Sequence, residues 1–152
     1  MEFKDIFTNY MLISAIAAWL LAQILKVFTG MFKDKKFNIV HLLFSNGGMP
    51  SSHTAAVCAL ATACVIKFGF ASFECAMSVL FAIIVMNDAC GVRYETGEQA
   101  KLINKITKEL FSGKNEEINN GLKELVGHTP FQVFMGALVG IGVGIGFSFL
   151  ML

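Results

Sequence analysis

A helical bundle embedded in a membrane is the expected fold: all-α, with about four transmembrane spans and a juxtamembrane amphipathic helix. Composition points there first. Of 152 residues, 55% are hydrophobic and only 15% charged, against roughly 25% charged in a soluble domain. Mean hydropathy is +0.65. The apolar residues also fall in long runs, several close to the roughly 20 residues that cross a bilayer. The polar residues collect between those runs. Together these exclude a soluble globular protein, a disordered tail and a proline-rich linker. A net charge of +1 leaves no basic excess for a nucleic acid to meet. The length suits a single membrane-embedded domain over residues 1–152.

Tyr10 to Phe28 is the first span, nearly unbroken. It is too long for a signal peptide, and Glu2 and Asp5 offset Lys4 ahead of it. Residues 30–50 form a polar loop with Lys33, Asp34, Lys35 and Lys36. Pro50, Ser51, Ser52 and His53 open a second span, Thr54 to Phe68, and Gly69 to Ser72 reads as a tight turn. Phe73 to Ala89 is the third span. Arg93 to Val126 is polar and mostly helical in propensity. Leu102, Ile106 and Leu110 lie at helical spacing there, which suits a helix on the membrane surface. Pro130 to Leu152 is the fourth span. Gly136, Gly140 and Gly144 recur every four residues in it, with Gly142 and Gly146 between and after them. Small residues at this spacing let helices approach closely, either within the chain or across a homodimer. Cys58, Cys64, Cys75 and Cys90 sit in apolar stretches without metal spacing and read as packing residues.

Four spans put the loops after the first and third on one face. Ten of the twelve Lys and Arg residues fall there, and only Lys4 and Lys67 on the other. Positive residues favour the cytoplasmic side, so that face is expected inside and both termini outside. The polar residues that suit chemistry share the same face: Lys26, Ser51, Ser52, His53, Asp88, Arg93 and His128.

Those residues suit a phosphate. Gly47 and Gly48 permit a tight turn before Pro50. The helix start after it offers unpaired N–H groups to an anion. Lys26 and Arg93 add positive charge, and a guanidinium can hold two oxygens at once. Histidine-mediated phosphoryl transfer needs one imidazole to attack phosphorus and another to protonate the leaving oxygen. His53 and His128 are at the expected site; His41 lies in the preceding loop. Asp88 can pair with Arg93 or orient a histidine. Glu95 and Glu98 follow at a spacing that suits metal ligands only weakly.

Gly-Gly-Met-Pro-Ser-Ser-His at 47–53, Asp-Ala-Cys-Gly-Val-Arg at 88–93 and Gly-His-Thr-Pro-Phe-Gln-Val at 127–133 resemble the divergent branch of the type 2 phosphatidic acid phosphatase superfamily. That superfamily includes the vanadium-dependent haloperoxidases. The resemblance runs from Gln23 and Lys26 to Gly140. It implies that Lys26 is the lysine of the first motif, although no arginine-proline follows it. It implies that Pro50 to His53 form the second motif, Ser51 and the local amides binding phosphate and His53 acting as acid. His128 then matches the nucleophile of the third motif. Leu122 stands where an arginine is expected and Gln132 where an aspartate is expected. Arg93 and Asp88 are the candidates to replace them from a different helix end.

The function this implies is hydrolysis of a lipid phosphomonoester, phosphatidic acid or phosphatidylglycerol phosphate, by a metal-independent phosphatase with no cofactor. The partners implied are a phospholipid or isoprenoid phosphate substrate and the membrane itself. The expected location is a bacterial plasma membrane. Two alternatives stand beside it: a non-catalytic lipid-phosphate binder or carrier, and a metal-dependent hydrolase using Asp88 and Glu95.

Overall fold

A computed structural model describes residues 3–31, 48–110, 121, 122, 124 and 126–151. The polar loop's 32–47, with His41 and Gly47, lies outside the described residues, as do Lys114 and Lys123. A short 3-10 helix, Phe3–Thr8, precedes α1, Tyr10–Met31. Then follow α2, Ser52–Phe68, and α3, Phe73–Cys90. The last two are α4, Val92–Leu110, and α5, Pro130–Met151. No strand occurs among the described residues.

Among the described residues three stretches are long and apolar enough to cross a membrane: Tyr10–Thr29, Phe73–Leu110 and Pro130–Met151. The fourth apolar helix, α2, has 17 residues, about 25 Å against roughly 30 Å of hydrocarbon. It is the central helix, packed against α1, α3 and α5. Its neighbours, rather than lipid, cover much of its surface.

Local chemistry sets the helix ends. Ser51 caps α2, its Oγ accepting from the Thr54 N–H at 3.4 Å. Ser72 caps α3 in the same way, accepting from the Cys75 N–H at 3.1 Å. Gly69 ends α2 at φ 80, a conformation side-chain-bearing residues rarely adopt. Gly91 separates α3 from α4. A Cβ there would lie 2.7 Å from the Asn87 carbonyl oxygen. The expected start of α2 at Thr54 moves back to Ser52, and α1 runs on through Met31 into the expected loop. Of the polar stretch expected to be mostly helical over 93–126, Val92–Leu110 is helix, and residues 111–120, 123 and 125 lie outside the described residues. Residues 121, 122, 124 and 126 are irregular.

The interior is built from small side chains and the exterior from large ones. Ala18 and Ala22 of α1 and Ala55 and Ala59 of α2 form the buried core, with Val139 and Val143 of α5 packed on it. Leu20, Ile24 and Phe28 of α1, Leu80 and Ile84 of α3, and Phe134, Leu138 and Phe149 of α5 are exposed. In water this would be an inverted protein. In lipid it is the expected order, because tight helix contact, not expulsion of apolar groups, holds the bundle. The buried hydroxyls fold back on their own helices: Ser14 donates to Met11 O, Ser78 to Cys75 O and Ser148 to Gly144 O.

The glycine stripe of α5 is consumed within the chain. A Cβ on Gly136 would lie 2.5 Å from Ser51 O, on Gly140 2.3 Å from Ala55 O, and on Gly144 2.8 Å from Ala59 O. Each glycine therefore seats one turn of α2. Of the two uses expected for the stripe, packing within the chain is the one that Gly136, Gly140 and Gly144 serve. Gly142 and Gly146 meet nothing within 4 Å.

Candidate functional site

The site sits where the C-terminal end of α1, the start of α2, the α3–α4 junction and the approach to α5 converge. Residues 48–50 dock on α1. Thr29 Oγ1 donates to Met49 O, and Gly48, at φ 100, lies against the Lys26 side chain. A Cβ at Gly48 would stand 3.1 Å from Lys26 Cγ. Lys26 is thereby pressed under the turn and is 2% exposed. The Met49–Pro50 peptide bond is cis.

Ser51 is wholly buried and Ser52 nearly so. The Ser51 N–H donates to Gln132 O at 3.1 Å, which ties α2 to α5. Thr54 Oγ1 donates to Ser51 Oγ at 2.9 Å. The Ser51 hydroxyl is thus engaged with its own helix start. The amides of Ser52 and His53 make no hydrogen bond among the described residues, and His53 is exposed beside them.

His128 arrives by a longer route. Beyond α4 the chain returns along that helix, and Asn104 holds it there. Asn104 Nδ2 donates to Leu122 O and to Glu124 Oε1, each at 2.8 Å, while Asn104 Oδ1 accepts from the Leu122 N–H at 2.8 Å. Gly97 provides room, since a Cβ there would be 2.7 Å from Glu124 O and 2.8 Å from Val126 O. Gly127, at φ 90, lets the chain turn over the backbone of Arg93 and Tyr94. The His128 N–H then donates to Ala89 O at 2.9 Å. Through this path the sequence-distant Asp88–Arg93 and His128 motifs meet.

The next residues form a reciprocal cap. The Thr129 N–H donates to Gln132 Oε1 at 3.0 Å, and the Gln132 N–H donates to Thr129 Oγ1 at 3.4 Å. Pro130 occupies the first helical position between them. Gln132, at the expected aspartate position, has its side-chain oxygen in this cap. Leu122, at the expected arginine position, is half-exposed on the return segment. Thr-Pro-Phe-Gln is a cap signature visible in the sequence. Asn104, Gly97 and Thr29 carry no such local signal.

Electrostatically, Lys26, His53 and Arg93 all act on His128. Arg93, Lys26 and Asp88 act on His53. Asp88 accepts a hydrogen bond from Arg93 Nε, a pair that is half-exposed on both sides. His128 is 5% exposed, and its Nε2 is buried with no hydrogen-bond partner among the described residues. Burial first, then the positive charges of Lys26, His53 and Arg93, lower its pKa from 6.5 to about 4. At neutral pH this imidazole is uncharged, with a bare ring nitrogen among cations. Such a group can attack an electrophile drawn in by those cations. Glu98 is paired with Lys101 at 2.6 Å. Among the described residues no group of three or more His, Cys, Asp or Glu gathers to hold a metal.

The family resemblance carried by the motifs is borne out by known sequences. The uncharacterized membrane protein YuiD of Bacillus subtilis is 42% identical over 147 residues, covering 90% of this chain and 92% of that protein. No solved structure matches the chain. Residues 7–143 match the family described as the divergent PAP2 family. That span takes in every motif residue of the site, and the chain belongs to the divergent PAP2 family.

Proposed function

We propose that this protein is a lipid-phosphate phosphatase that works through a phosphohistidine on His128. The observation that carries the reading is the buried, unpartnered Nε2 of a neutral His128 beside Lys26, His53 and Arg93. In the first step Nε2 attacks phosphorus, the N–P bond forms and the ester P–O bond breaks. The leaving oxygen takes a proton from His53. In the second step water attacks phosphorus, His53 takes its proton, the N–P bond breaks and inorganic phosphate leaves. Lys26, Arg93 and the open amides at the start of α2 hold the phosphate oxygens as charge spreads over them. Asp88 positions Arg93. No metal or cofactor enters either step.

The substrate class is a phosphomonoester at the cytoplasmic boundary, of the phosphatidic acid or phosphatidylglycerol phosphate type. The orientation rests on the bias of basic residues to one face. Association of two copies through α5 would use Gly142 and Gly146, because α2 covers the other stripe.

The test is phosphate release from a panel of lipid phosphates by purified protein, with His128→Ala and His53→Ala in parallel and chelator added. The expected result is release by the parent, loss by at least about a hundredfold in each variant, and indifference to chelator. Release that survives His128→Ala contradicts the reading.

One observation favours a second reading, a lipid-phosphate binder without turnover. Gln132 Oε1 is engaged with the Thr129 amide rather than with an imidazole, and it carries no charge to stabilise an imidazolium. Phosphate-lipid binding with no release from any lipid would select this reading.

A further inference from the structure

Helices α3 and α5 both pack on α2 but touch each other only slightly. Between them a face of α2 stays open, forming a groove of about 570 Å³. Cys58 and Met86 line its upper part, and Ile66, Val79 and Phe149 its lower part. The lining carries no charged residue. The hydroxyl of Thr62 on its wall donates back to Cys58 O at 2.8 Å, so its donor is used within α2.

The groove begins close to the site along two helices. Cys58 lies five residues along α2 from His53, and Met86 two residues before Asp88 on α3. Its upper end is therefore within about two helical turns of the cationic cluster. From His53 to Ile66 along α2 is about 20 Å, somewhat more than one bilayer leaflet of about 15 Å. Cations above and an uncharged apolar channel below complement one kind of molecule: an amphiphile with an anionic head and a single hydrocarbon chain beneath it.

We infer that this groove holds one hydrocarbon chain of the lipid whose phosphate sits at the His128 cluster. The inference rests on the lipid-phosphate reading and adds to it a chain subsite within the bilayer. The α2–α3–α5 face, and not the α1 side, is where the substrate lies. Headgroup and chain are then selected by separate parts of the molecule. A phosphate ester without a chain engages only the upper part.

A monoalkyl phosphate with a diazirine at its chain end, irradiated with the intact protein in detergent, tests this. The control is the alkanol of the same chain. The expected result is adducts at the lower groove residues, severalfold fewer with the alkanol, and severalfold fewer in Ala61→Phe, whose ring narrows the channel. The parent pattern needs no variant, so the outcome does not depend on how Ala61→Phe folds. Adducts spread over the outer faces overturn the inference. Equal groove labelling by alkanol and phosphate also overturns it, because the occupant would then be any bilayer chain. Absent labelling together with a cross-linked dimer overturns it in favour of a second copy. The two proposals fail separately. Groove labelling without phosphate release keeps the chain subsite and removes catalysis. Phosphate release with labelling only outside removes the subsite alone.

Discussion

At the scale of single residues, the site turns on where His128 keeps its proton. Burial and three neighbouring positive groups lower its pKa to about 4. In the unfolded chain it would protonate near 6.5. The folded state therefore binds fewer protons than the unfolded state between those values. Stability contributed at neutral pH is lost as pH falls through 6.5 toward 4. NMR titration of the imidazole should give a midpoint well below 6.5, and Lys26→Met should raise it by removing a charge. A midpoint at 6.5 in the folded protein would show His128 solvated and unsuited to the role. The same scale explains Gln132. Read against the family's pattern it is a departure; in the structure its side chain closes a cap with Thr129, a task for which an amide serves well.

At the scale of elements, α2 and α5 are joined by backbone contact through glycine. Adding a methyl at Gly140 places carbon 2.3 Å from Ala55 O, and the helices must part. Overpacking of this kind costs about 1–3 kcal/mol. Gly142 lies in the same helix with open space around it, and there alanine should stabilise by about 0.5–1 kcal/mol. Thermal unfolding in detergent should thus move in opposite directions for Gly140→Ala and Gly142→Ala. Equal effects would mean that helix propensity, not contact with α2, decides. The helices themselves were legible because a long apolar run has few other solutions in a bilayer. The starts at Tyr10, Phe73 and Pro130 match, whereas α2 begins two residues early, at Ser52, because its cap is Ser51 and the polar Ser52 and His53 are already in the first turn. The span count was readable, but the central place of α2 was not. Only the small residues Ala55, Ala59 and Ala63, clustered on one short helix, hinted that it would be surrounded.

At the scale of the whole molecule, one end of the bundle collects the chemistry and the opposite end does not. Lys26, His53, Arg93 and His128 were placed together from the alternation of spans alone, and electrostatic coupling unites them. The route that unites them was hidden in the sequence. The return segment is fixed by Asn104, Gly97 and Gly127 against α4, contacts between residues far apart in the chain that no periodicity announces. The proposed orientation of this end rests on the bias of basic residues. A reporter active only in the cytoplasm should be silent at either terminus and active after Arg93, and activity at the C-terminus would invert the site.

In the proposed reaction phosphorus passes through His128 as a covalent intermediate. The direct measurement is mass spectrometry of protein quenched in alkali during turnover of a lipid phosphate, which preserves phosphohistidine. The expected result is phosphate on His128 in the parent and none in His128→Ala. Phosphate release at full rate with His128 unmodified, or with the phosphoryl group on another residue, would contradict it.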